Sequence, residues 1–239
     1  MSLSLEGRDA VLERDADADR RAFHLQAAFR AMLDAMARPG EVADLPARDG
    51  EAEDASASGL FPATVQVLDV LLDAATDVAV AGSHGAAAER VLADRCHVAQ
   101  APAERARYAV LPVAVRNDEA AAFVGGLFEG TLLDPDLGAT CIVECSSLLG
   151  SDRTGARGGS VAQAHPLSFW KLTGPGVKGS STLGCDRADA VRARIARADE
   201  FPLGIDLFLV DSCGHVAAIP RSSAVSESDE EEGGTSWAM

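Results

Sequence analysis

Apolar positions near the start of the chain recur at three- and four-residue steps. Leu25, Ala28, Phe29, Met32, Leu33 and Met36 share one face of a helix that Asp17 or Asp19 can cap and Pro39-Gly40 stops. Residues 1–20 are polar and charged and read as a flexible N-terminus. The acidic, Ala- and Ser-rich run Ala47 to Ser58 reads as a loop. Pro62 then occupies a favourable first helical position, with Val65, Leu68, Leu71 and Leu72 as the inward face of a second helix.

From Asp77 the period alternates between strand and helix. Asp77 to Ala81, Cys96 to Gln100 and Tyr108 to Pro112 are short apolar strands. Ser83 caps a helix through about Asp94, and Asn117 one through Phe128. Ala139 to Leu148, Leu167 to Thr173, Ile205 to Asp211 and His215 to Ile219 are further strands. Cys213-Gly214 turns the last two into a hairpin. The stretch from Arg187 to Asp199 is a helix whose arginines mark its solvated side. Such alternation predicts an α/β protein, a three-layer αβα sandwich with a mixed sheet between helical layers. A single domain spans 21–225, with a glycine-rich insertion at 150–166 and a disordered acidic tail at 226–239.

Charge changes this picture little. The formal net charge is −16, from 37 acids against 21 bases, but Glu41 to Asp54 and the tail from Ser226 together carry −10 of it. The remaining −6 is ordinary for a soluble domain. The cations form no basic stripe, which argues against nucleic acid as a direct partner. No apolar run approaches the 18 residues of a membrane span, and the N-terminus is acidic where a signal peptide would be apolar. A cytoplasmic protein is expected, with its five cysteines reduced.

Candidate chemistry is sparse. Cys141 and Cys145 share a strand face, but no CxxC or HxxxH completes a metal site, so they read as small core residues and no metal is expected. His24, His84, His97, His165 and His215 are scattered, and no GxSxG supports a hydrolase triad. Neither GxxxxGK[ST] nor GxGxxG occurs. Thr173-Gly174-Pro175-Gly176 follows a strand and offers either an anion nest or a tight turn in which glycine supplies positive φ. A pyridoxal-phosphate enzyme needs a Schiff-base lysine. Only Lys171, within a strand, and Lys178, in a Gly-Ser loop, exist, so no cofactor is expected. Asp206 breaks an apolar strand and must find partners, and Arg221 just beyond the paired strand can supply them, as a structural pair or as part of a ligand site.

Several strings carry a resemblance to a known family. Phe29-Arg30 through Met36 to Pro39-Gly40, Gly130-Thr131 with Leu137-Gly138-Ala139-Thr140, Leu172-Thr173-Gly174-Pro175-Gly176, Phe201 to Leu209, and Ala218-Ile219-Pro220-Arg221 resemble, in that order, the PhnH family of phosphonate catabolism. The resemblance implies a fold similar to the large domain of pyridoxal-phosphate-dependent transferases, without the cofactor lysine or phosphate-binding residues. It further implies a homodimer that joins PhnG, PhnI and PhnJ in the carbon–phosphorus lyase core complex. That complex couples a phosphonate to the ribose C1 of ATP and releases adenine. No catalytic residue is assigned to PhnH within it, so a non-catalytic supporting subunit is expected. The alternative is a stand-alone transferase that binds pyridoxal phosphate or a phosphate ligand. The 150–166 stretch and the acidic tail depart from the family pattern. Phe123, Leu127 and Phe128 offer an apolar face for pairing of two copies.

Overall fold

Four segments are apolar at consecutive positions, the pattern of parallel strands covered on both faces. They are β2 (Asp77–Val80), β4 (Tyr108–Leu111), β5 (Thr140–Cys145) and β9 (Asp206–Asp211). The computed structural model describes residues 5–47, 57–83, 85–150 and 165–228. In it these strands lie side by side and parallel, extended by β3 (Ala99–Gln100) at one edge and by β10 (His215–Ile219) and β1 (Ala43–Asp44), both antiparallel, at the other. The seven-stranded order is β1-β10-β9-β5-β4-β2-β3. The chain leaves β2 for one edge and β4 for the other, so the topological switch point falls between them.

Alternate side chains of this sheet feed two cores. Val78, Val80, Val110, Ile142, Phe208 and Val210 pack against α1 (Leu5–Ala37), α2 (Pro62–Leu71) and α3 (Gly85–Cys96). On the other face, Leu111, Cys141, Val143, Leu207, Leu209 and Ile219 meet α4 (Asn117–Gly125) and α5 (Ala188–Ala196). They also meet Trp170, Leu172, Leu183 and Cys185 of a second, antiparallel sheet. Its order is β11 (Ala224–Glu227), β7 (Ser168–Thr173), β8 (Ser181–Cys185) and β6 (Leu148–Leu149). The molecule is thus α/β with a mixed central sheet, but its second outer layer is part helix and part sheet, where the sequence predicts helices alone.

Other departures have local causes. Helix α1 begins at Leu5, so Asp17 and Asp19 lie inside it rather than at its start. The Ala, Leu, Glu and Arg residues of that stretch favour helix by propensity. The buried face of α1 is Ala28, Ala31, Met32 and Ala35, and Phe29 and Leu33 face solvent. Asn117 does not cap α4: Arg116 precedes the helix, and Asn117 has a φ of 56°. Cys96 belongs to α3 rather than to the following strand. The run from Ala139 to Leu148 divides between two sheets, because Ser146 and Ser147 donate their N–H groups to Asp186 Oδ1 and leave the ladder.

Strands β8 and β11 have no counterpart in the sequence reading. β8 contains Gly184, where a Cβ would stand 2.9 Å from the Phe169 ring. β11 carries Ser226 and Glu227, counted with the acidic tail on sequence alone. Of the proposed pairing face, Leu127 is buried, while Phe123, packed against the core, and Phe128 are partly exposed. His84 and most of the 48–58, 150–166 and 226–239 stretches lie outside the described residues.

Candidate functional site

Ionised side chains enter this structure chiefly at the two ends of the parallel strands. At the amino end, Asp206 opens β9 beside Thr140 of β5. Its Oδ1 accepts the Arg221 backbone N–H at 2.7 Å. Its Oδ2 accepts Arg221 Nε at 3.0 Å and Nη2 at 2.6 Å. The expected pair is therefore present, with the side chains 13% and 15% exposed.

The rest of the Arg221 fork is also engaged: Nη2 donates to Gly138 O at 3.0 Å and Nη1 to Pro135 O. All three guanidinium nitrogens thus tie β9 and the end of β10 to the turn before β5. Gly138 is required here, since a Cβ would lie 2.6 Å from Arg221 Nη1 and 2.5 Å from Gly204 O. Two open hollows flank the pair, one of about 220 Å³ bordered by Arg194, Asp199, Ser223 and Arg221, the other of about 380 Å³ bordered by Arg107, Tyr108, Asp206 and Arg221.

Thr173, Gly174 and Gly176 are placed elsewhere. Thr173 ends β7 opposite Ala224. Gly174 lies against Ser222, but the Arg221 side chain leads away to Pro135 and Gly138. Gly176 has a φ of 80°, and a Cβ on it would stand 2.1 Å from the Ala37 carbonyl oxygen. The loop closes as an exposed turn, with Val177 N–H returning to Gly174 O at 3.2 Å.

At the carboxyl end stands a cluster that the sequence reading does not single out. Arg187, assigned there to a solvated helix face, is wholly buried. It donates to Glu144 O at 2.7 Å, Val115 O at 2.8 Å and Asp189 Oδ1 at 3.1 Å. Arg116 reaches Asp186 Oδ2 at 2.8 Å and Ser146 Oγ at 3.1 Å. The Glu144 side chain accepts the Phe61 N–H at 2.6 Å and the Val113 N–H at 2.9 Å. Burial pushes the Glu144 carboxyl above its ordinary range, opposed by those two N–H donors and by the Arg187 charge. The sequence signal for Glu144 is the same as for Asp206, a carboxylate inside an apolar strand. Arg187 gives no such signal, because arginines recur along its helix.

This carboxyl end is where α/β proteins commonly hold ligands, and here Arg116, Asp186, Arg187 and Glu144 are hydrogen-bonded to neighbouring side chains and backbone groups. Cys141, Cys145 and Cys185 are buried. Burial pushes Cys141 up to about 12, Cys185 to about 11 and Cys145 well above its usual value, so all three stay protonated thiols. Among the described residues no group of three His, Cys, Asp or Glu side chains is placed to hold a metal. Lys171 is an exposed residue of the small sheet, paired with Thr182, and Lys178 is exposed in a loop. His215 Nδ1 lies 2.7 Å from Asp211 Oδ2 and Nε2 lies 3.5 Å from Asp44 Oδ1, a local bracing of the β9–β10 hairpin.

The family model for bacterial phosphonate metabolism protein (PhnH) matches residues 17–226. No curated protein matches the chain.

Two outcomes follow from these geometries. Asp206→Ala strands the Arg221 charge and should destabilise the fold by about 3 kcal/mol. Glu227→Ala, which removes a pair with Arg192 that is 53% and 59% exposed, should change stability by less than about 1 kcal/mol. Chemical denaturation of the two variants checks both, and equal effects would show that the Asp206 pair adds nothing. For Glu144, the folded protein holds the proton more tightly than the unfolded chain, whose ordinary value is 4.5. The folded state therefore binds more protons just above that pH, and this group's contribution to stability falls as pH rises through the window. Glu144→Gln should flatten the loss of melting temperature between pH 4.5 and neutrality. An unchanged slope would contradict the raised value.

Proposed function

The chain belongs to the PhnH family of bacterial phosphonate metabolism proteins, and from that footing we propose that it is a supporting, non-catalytic subunit of the carbon–phosphorus lyase core complex. In this reading it acts in the cytoplasm, pairs with a second copy, and joins PhnG, PhnI and PhnJ. The assembly attaches a phosphonate to the ribose C1 of ATP and releases adenine, and this chain contributes by ordering its partners rather than by making a bond.

The observation that carries the reading is the use of Arg221. The cation of the best sequence candidate for a ligand site gives all three guanidinium nitrogens to Asp206, Pro135 and Gly138. The fold likeness to the large domain of pyridoxal-phosphate-dependent transferases belongs to the same proposal. It is supported by the mixed sheet with a switch point between β2 and β4. Lys171 lies on an exposed strand position away from that switch point, a poor place for a Schiff base. Among the described residues no helix is long and apolar enough to cross a membrane.

The test mixes ATP and methylphosphonate with PhnG, PhnI and PhnJ, with and without this chain, and follows adenine release. Release should depend on the chain's presence, and the chain alone should release none. Adenine release by the isolated chain would overturn the supporting role, and undiminished release on omitting it would remove the chain from the step.

A further inference from the structure

The amino end of the central sheet, where Arg221 is spent on structure, also gathers exposed apolar side chains. Leu132 is 80% exposed, Leu133 is 91% exposed and Phe201 is 71% exposed, with Leu137 and Ile195 more than a third exposed. They come from three segments that the fold ties together. Gly204 N–H donates to Glu129 O at 2.9 Å, and Pro202 and Pro135 border the same hollow.

The leucine tip is held rather than loose. Thr131 N–H meets Asp134 O at 3.2 Å, Asp134 N–H meets Thr131 Oγ1 at 3.0 Å, and Gly138 N–H meets Pro135 O at 3.1 Å. Arg221 then clamps Pro135 and Gly138 from below. Several large apolar side chains exposed at one end of a soluble protein mark an interaction surface. A turn already fixed in shape loses little entropy on binding.

The rim identifies the kind of partner. Glu104, Glu129, Asp134, Asp136 and Glu200 are exposed around this end, against Arg105 and Arg107, with Arg107 within 3.9 Å of Asp136 and the largely buried Arg197 within 3.9 Å of Glu129. Two copies meeting here would bring these acids together, whereas a groove edged with lysine or arginine would complement them. We infer that the amino end of the sheet, with Leu132 and Leu133 at its tip, docks into an apolar, basic-rimmed groove on a different protein, leaving pairing of two copies to another face. The inference rests on the proposed membership of a complex with PhnG, PhnI and PhnJ and says where on this chain one of them binds.

The test uses the full chain co-produced with those three subunits, with Leu133 replaced by a photo-reactive phenylalanine, and with exposed Lys178 replaced in the same way as a control. Irradiation should join position 133, and not 178, to a single one of the three. Leu132→Asp with Leu133→Asp should cut co-purification at least tenfold while leaving the isolated chain's melting curve in place, since both side chains lie outside the core. If the complex forms but position 133 joins nothing and the double variant still assembles, the docking surface is wrong and the complex membership stands. A crosslink between two copies of this chain overturns the choice of partner. If none of the three co-purifies with the unaltered chain, the membership fails and the docking surface with it.

Discussion

The pairing of β5 with β9 is the constraint on which the other elements depend. These neighbours run in parallel register from Thr140 opposite Asp206 to Cys145 opposite Asp211, yet the chain between them builds β6, β7, β8 and α5. Closing so long an excursion costs entropy that local contacts do not return. Burial on both sheet faces offsets much of that cost, and each end carries a charged tie. At the carboxyl end Arg187 holds the Glu144 and Val115 carbonyls where α5 sets out. At the amino end Arg221 holds Asp206 and the turn before β5. An arginine suits both places because its rigid fork can satisfy several acceptors at once.

What the sequence discloses follows from how local the cause is. The β9–β10 hairpin is legible because two apolar runs flank Cys213-Gly214, and its register follows from that turn, with Val210 opposite Val216. The Asp206–Arg221 pair is legible because a carboxylate cannot be buried in a strand without partners. The small second sheet is not legible: β11 is mostly exposed and β8 owes Gly184 to the distant Phe169 ring. Neither the burial of Arg187 nor the outward turn of Phe29 and Leu33 follows from periodicity, because each depends on which neighbours the topology supplies.

The strings that carry the family resemblance take on a spatial meaning in the structure. Gly130-Thr131 with Leu137 to Thr140, and the start of the Phe201 to Leu209 string with Pro220-Arg221, come from two distant parts of the chain and meet at the amino end of the sheet. There Gly138 allows the approach of Arg221 and Gly204, and Gly204 bonds to Glu129. This junction is a piece of construction that presents an apolar tip.

Hydrogen exchange on Arg221→Met tests the amino-end clamp most directly, since the methionine keeps part of the side chain's bulk and removes the fork. Loss of the clamp should give faster exchange first in residues 135–140 and 204–208, with α1, α2 and α3 still protected. Protection in those two segments equal to that of the unaltered protein would contradict it.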